Sequence, residues 1–231
     1  MSGIADNLAT IRARIRAAAK RTGRDPDGVR LVAVSKTQPV SALRAALAAG
    51  QVIFGESRVQ ETREKRAHLQ THPLQWHLIG PLQRNKVKVA VSLFDMIQSV
   101  DSVALAEEIH RRTTTPMPVL VQVNLGREPQ KHGLAPAETK AAIRAMAAFS
   151  GIAVCGLMTI PPWSDDPEAS RPFFRELATL ARDLEQCAIP GVSMREISMG
   201  MSEDYVVAVE EGATLVRVGT AIFGERQESD P

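Results

Sequence analysis

Short runs of β-branched and apolar residues alternate along the chain with longer stretches rich in Ala, Leu, Glu and Arg, which predicts βα units around a parallel sheet. The runs are RLVAVS from Arg30, QVIFG from Gln51, WHLIG from Trp76 and DMIQS from Asp95. They continue with PVLVQVN from Pro118, IAVCGLM from Ile152, REISM from Arg195 and TLVRVG from Thr214. Helices are predicted between them at Val40–Ala49, Ser57–Leu69, Arg84–Ser92, Val103–Arg112, Ala135–Phe149, Pro167–Gln186 and Glu203–Glu211. Ahead of the first strand, apolar positions at helical spacing mark an extra N-terminal helix, about Ile4 to Arg21. An open doubly wound sheet would use fewer strands and carry a glycine-rich turn after the first, but RLVAVSKTQPV has no GxGxxG. The pattern therefore predicts an α/β chain closed as a single (β/α)8 TIM-type barrel.

Length agrees with this. At 231 residues the chain suits one such barrel, read as a single domain over residues 1–231 with a disordered tail at 227–231. Lys plus Arg (28) nearly balance Asp plus Glu (26), so the formal charge of +2 gives no strong field for nucleic acid or an anionic membrane. No apolar run approaches the roughly 20 residues of a bilayer span, and the N-terminus has no apolar signal core. A cytoplasmic protein with a small-molecule or protein partner is expected. Cys155 and Cys187 show neither CxxC spacing nor a histidine cluster, so both read as reduced packing residues and no metal is expected.

In this fold the site lies at the C-terminal ends of the strands, so polar residues directly after each apolar run are the candidates. The loops after strands seven and eight suit a phosphate: Gly200 and Gly219 allow close backbone approach, and Ser198 and Thr220 offer hydroxyls. The segments Ser202–Glu211 and Ala221–Glu225 would aim helix N-termini at it. Tight turns alone would also explain the glycines. Lys36 follows the apolar run Leu31–Ser35 and should emerge at the mouth with its stem in apolar surroundings, where an amine loses charge and attacks aldehydes. A salt bridge or a plain phosphate contact is the alternative. A phosphate cradle with a reactive lysine points to Schiff-base aldolases or to pyridoxal 5′-phosphate (PLP) proteins. Arg217 faces inward by alternation with Leu215 and Gly219, so it needs an acceptor; a pyridine nitrogen would serve, and so would a barrel acid such as Glu56. No acid/base pair for retro-aldol chemistry stands out.

The blocks AVSKTQPV, FGESRVQE, WHLIGPLQRNK, NLGREPQKHG, GLMTIP, SMGMSEDY and TLVRVGTAIFG together resemble the PLP homeostasis protein family, over about residues 5 to 226. The family looks like the N-terminal barrel of alanine racemase standing alone. The resemblance implies PLP as an internal aldimine on Lys36, with Arg217 facing the pyridine nitrogen. It also implies Ser198, Gly200, Met201, Gly219 and Thr220 around the phosphate, with Asn85 and His77 near the mouth. Its second-strand block departs from the family's usual GENYVQE, placing Ser57 and Arg58 where an amide and a tyrosine are common. Lys131 reads as a loop charge or as a secondary lysine for PLP transfer. The implied function is a PLP carrier or reservoir, monomeric, delivering cofactor to PLP-dependent apoenzymes. The alternative is a PLP-dependent amino-acid racemase of low activity, for which the chain lacks the second domain that supplies a catalytic tyrosine. Its one tyrosine, Tyr205, reads as packing or as a phosphate-side contact, leaving His77 or a water as the second acid.

Overall fold

The computed structural model describes residues 3–70 and 72–225; the expected tail at 227–231 lies outside them. The strands β1 (Arg30–Val34), β2 (Ile53–Glu56), β3 (Gln75–Leu78), β4 (Met96–Val100), β5 (Met117–Gln122), β6 (Ile152–Met158), β7 (Val192–Ser198) and β8 (Leu215–Val218) close into a parallel barrel in sequence order. Closure is set by β1 against β8, with Val32 beside Arg217 and Ala33 beside Val218. The (β/α)8 architecture read from the periodicity is therefore the observed one.

Each strand alternates two environments, as the pleat requires. One set of side chains faces the barrel axis: Val32, Ile53, Met96, Leu120, Met158 and Leu215 form a compact inner cluster. The other set packs outward beneath the helices α2 (Val40–Ala48), α3 (Val59–Ala67), α4 (Val87–Leu93), α5 (Val103–Arg112), α6 (Pro136–Met146), α7 (Arg171–Gln186), α8 (Tyr205–Glu210) and α9 (Thr220–Phe223). Helix α7 shows the rule: Phe174, Leu177, Ala181 and Leu184 form its buried stripe, each large apolar side chain contributing about 1.5–3 kcal/mol of burial.

The N-terminal helix α1 (Ile4–Arg21) buries Leu8, Ile11, Ile15, Ala18 and Ala19 against α2, α8 and α9. It covers ground that α9, a single turn, is too short to cover. Just beyond it, Arg24 donates to the carbonyls of Val209, Gly212 and Ala213, satisfying acceptors at the end of α8.

Several boundaries differ from the periodicity. Gln51 and Val52 precede β2: the Gln51 backbone amide still bonds to the Ala46 carbonyl of α2 at 3.0 Å, while its buried side-chain amide donates to the carbonyls of Leu31 and Ile53. The helix expected from Arg84 opens as a 3-10 turn at Arg84–Lys86, and that expected from Pro167 opens as a 3-10 turn at Pro167–Ser170. Strand β7 begins at Val192, ahead of the expected Arg195.

Candidate cofactor site at the barrel mouth

Strand β1 directs Val32 to the axis and Leu31 and Ala33 outward, so Lys36 falls on the inward parity just past the strand and Ser35 on the outward one. The chain turns sharply there, with Thr37 at φ 65°. Both neighbours of Lys36 are held from outside the barrel. The Ser35 hydroxyl donates to Glu56 Oε1 at 2.6 Å, and Lys65 Nζ of α3 donates to the Ser35 carbonyl at 2.5 Å, to Glu56 Oε1 at 2.8 Å and to Glu61 Oε1 at 2.6 Å. Glu61 Oε1 in turn accepts from the Thr37 amide at 2.5 Å. A buried ion pair thus braces the two residues that flank Lys36. Burial pushes the Glu56 carboxyl up from its ordinary range, against the attraction of Lys65.

Inside the barrel, above the apolar inner cluster, lies a polar layer. Arg217 is 3% exposed. It donates to Ser198 Oγ at 2.6 Å and to the Thr159 carbonyl at 2.8 Å. The Ser198 hydroxyl donates to Gln98 Oε1 at 2.6 Å, and the Gln98 amide meets His77 Nδ1 at 2.8 Å. An amide nitrogen only donates, so Nδ1 must be the accepting nitrogen and His77 carries its proton on Nε2. Burial, helped by the positive charge of Arg30, lowers His77 to about 4 and keeps it neutral. Burial also lowers Arg217 to about 10, which leaves it charged at neutral pH. Among the described residues it forms no salt bridge. Glu56, the barrel acid weighed as its partner, faces outward and belongs to Lys65.

The loops after β7 and β8 meet above this layer. Gly200 sits at φ 88° and its carbonyl accepts from the Arg217 amide at 3.0 Å. A Cβ there would lie 2.5 Å from Ala208 Cβ, so the glycine also lets this loop pack directly on α8. The Met201 amide is taken up by Asp204 Oδ1 at 2.6 Å. Ser202, read along the chain as the opening of the segment Ser202–Glu211, accepts through Oγ from the amides of Gly219 and Ala221, each at 3.3 Å. Its hydroxyl joins the two loops, and Thr220 is exposed beside them at the start of α9.

The structure thus brings Lys36, Arg217, Gly200, Met201, Gly219 and Thr220 to one end of the barrel, on the strand ends β1, β7 and β8. Ser198 belongs to the polar layer beneath, where its hydroxyl is spent on Gln98 and Arg217. Asn85 is not brought to this set: it is exposed in the turn before α4, lining a shallow depression with Arg84, Lys88, Glu108 and Arg112. Lys131 pairs with Glu128 and donates to the Pro161 carbonyl at 3.3 Å, as an ordinary loop charge does. Tyr205 is core packing, at 3% exposure. Among the described residues no cluster of His, Cys, Asp and Glu has the grouping to hold a metal, and no helix is long and apolar enough to cross a membrane.

A closed parallel barrel with an inward lysine past β1 and an inward arginine on β8 defines a class: residues 7–227 match the family model for the alanine racemase N-terminal domain. The alanine racemase of Clostridium difficile 630 shares that fold at 16% identity, with a TM-score of 0.71 over 97% of this chain and 58% of that one. Within the class, the chain belongs to the pyridoxal phosphate homeostasis protein family. It is 41% identical over 234 residues to the Pseudomonas aeruginosa protein of that name, covering 100% of this chain and 99% of the relative. It is 40% identical over 225 residues to the one from Aquifex aeolicus, covering 96% and 98%. PipY of Synechococcus elongatus, solved with PLP bound, superimposes with a TM-score of 0.85 at 40% identity, covering 96% of this chain and all (100%) of PipY.

Proposed function

We propose that this chain holds PLP covalently through Lys36 Nζ and acts in intracellular PLP homeostasis as a carrier or reservoir. The observation that carries the reading is Arg217: a buried cation, aimed into the barrel, whose hydrogen-bond partners are a hydroxyl and a carbonyl and not a carboxylate. A pyridine nitrogen supplies the acceptor it lacks. The loops carrying Gly200, Met201, Ser202, Gly219 and Thr220 meet above Arg217, and the exposed Thr220 offers its hydroxyl to the phosphate. PLP supplies an aldehyde, which condenses with a neutral amine with loss of water.

The same arginine argues against turnover. It only donates hydrogen bonds and stays charged near neutral pH, so it holds a ring nitrogen unprotonated and weakens the cofactor as an electron sink. A two-base racemase also needs a second acid opposite the lysine. Tyr205 is packed in the core, and His77 is pinned by Gln98 beneath the mouth. On this reading the protein works in the cytoplasm as a monomer, with PLP-dependent apoenzymes as recipients.

Borohydride reduction of the PLP-loaded protein tests the assignment. Trypsin should then skip Lys36 and release the 31–44 peptide carrying the pyridoxyl-phosphate mass, and Lys36→Ala should abolish that adduct. A principal adduct on any other lysine overturns it.

A further inference from the structure

A second concavity opens on the same end of the barrel, beyond the strand ends of β2 to β5, and the cofactor reading makes no use of it. It has a volume of about 610 Å³. One wall is the first turn of α3, where Val59 and Arg63 stand one helical turn apart on the same face, with Arg58 just before them. The facing wall is the turn into α4, where Lys86 and Val89 are likewise stacked, above Leu82. Leu82 is buried, and Val89 is one of three large apolar side chains left exposed among the described residues. The groove is therefore apolar along its base and cationic along both edges.

The charges are unspent. Among the described residues, Arg58, Arg63 and Lys86 enter no ion pair, whereas on nearby α5 Arg111 sits on Glu107 and Arg112 on Glu108. The single acid lining the groove, Asp101, already faces His132 Nδ1 at 3.1 Å. A chain whose formal charge is +2 over 231 residues has thus gathered three unneutralised cations in one groove. Such a surface raises the local concentration of acidic partners.

We propose that this groove docks an acidic segment of a partner protein, its carboxylates on Arg58, Arg63 and Lys86 and an apolar side chain on Val59, Leu82 and Val89. Cations on both walls with an apolar base fit a peptide that mixes the two kinds of side chain. A nucleic-acid strand is disfavoured because no Phe, Tyr or Trp lines the groove for bases to stack on, and the one imidazole, His132, is engaged by Asp101. The partner's purpose, receiving PLP beside the mouth, rests on the carrier reading; the docking itself does not.

Fluorescence anisotropy tests it, with a fluorescein-labelled synthetic peptide of glutamates flanking two leucines and a control with glutamine in place of glutamate. The acidic peptide should bind wild type and Lys36→Ala alike, so failure of the PLP assignment leaves this result standing. Binding should weaken at least about tenfold in Arg58→Glu/Arg63→Glu/Lys86→Glu, and also with rising salt. Should that variant melt below the wild type, the milder Arg63→Gln/Lys86→Gln serves, with a smaller loss expected. Val89→Ser should weaken binding with its salt dependence unchanged. No binding, binding unaffected by the charge changes, or equal binding of the glutamine peptide overturns the proposal. So does full competition by citrate or by an oligothymidine at matched ionic strength, which would make the groove a small-anion or a nucleic-acid site.

Discussion

Arg217 and Ser198 meet inside the barrel through a 2.6 Å hydrogen bond, and the same serine hydroxyl passes its own proton to Gln98 Oε1 at 2.6 Å. Ser198 is therefore the link that orients the arginine, although its place at the end of β7 also suits a phosphate contact. The two roles separate experimentally. Ser198→Ala leaves a guanidinium donor and an amide oxygen unpaired in the barrel, at a cost of about 1–3 kcal/mol in stability. If it acts through Arg217, it should weaken PLP and unphosphorylated pyridoxal by similar factors in absorbance titrations. Ser202→Ala, at the junction of the two loops, should weaken PLP more than pyridoxal.

Arg217→Glu replaces a permanent donor by an acid that can share a proton with a ring nitrogen. The visible spectrum of bound PLP should shift, while borohydride still labels Lys36. An unchanged spectrum with PLP bound would place the pyridine ring elsewhere. Charge reversal in a buried layer also lowers stability, so the titration belongs well below the variant's melting temperature.

Much of this was legible along the chain. Period-two alternation correctly turned Arg217 inward with Leu215, and the run Leu31–Ser35 delivered Lys36 to the strand end. What stayed hidden were partnerships across strands. Lys65 lies in VQETREKRA, a helix with hardly any apolar stripe, yet it is buried because Glu56 and the Ser35 carbonyl come from neighbouring strands. Its i,i+4 spacing from Glu61 was the one local sign. Gln98 gave none: a glutamine within DMIQS acquires meaning only when His77 and Ser198 are set on either side of it. Ser202 was legible only as the opening of a segment after β7, since the bridge its hydroxyl makes depends on where the loop after β8 returns.

The brace around Lys36 makes a prediction of its own. Glu56 is fully buried, and its Oε2 has no hydrogen-bond partner among the described residues, so Lys65 is what compensates its charge. Lys65→Met should cost about 3–5 kcal/mol, as removing one partner of a buried pair does. Adding Glu56→Gln should recover part of that in urea melts. If the brace positions the lysine, the double variant should still form the Lys36 adduct more slowly than wild type, because the Ser35 carbonyl loses its donor and Glu61, which holds the Thr37 amide, loses its partner. Wild-type kinetics in a variant of restored stability would reduce the brace to packing.

His77 sets the acid limit of the polar layer. Its folded-state value of about 4 lies below the 6.5 of an unperturbed histidine, chiefly through burial and secondarily through Arg30. As pH falls, the unfolded chain therefore takes up the proton first. The stability tied to a neutral His77 is fully present above pH 6.5, declines between 6.5 and about 4, and is gone below that. A shift of this size corresponds to about 3 kcal/mol over the window. Protonation also turns Nδ1 from acceptor into donor and opposes the Gln98 amide, so the chain through Ser198 to Arg217 should loosen in the same range. His77→Gln keeps an acceptor for Gln98 but does not titrate. Its urea midpoint should vary less than that of wild type between pH 6.5 and 4, and any loss of PLP across that window should shrink with it. Equal pH slopes in the two proteins would show that another group governs acid unfolding.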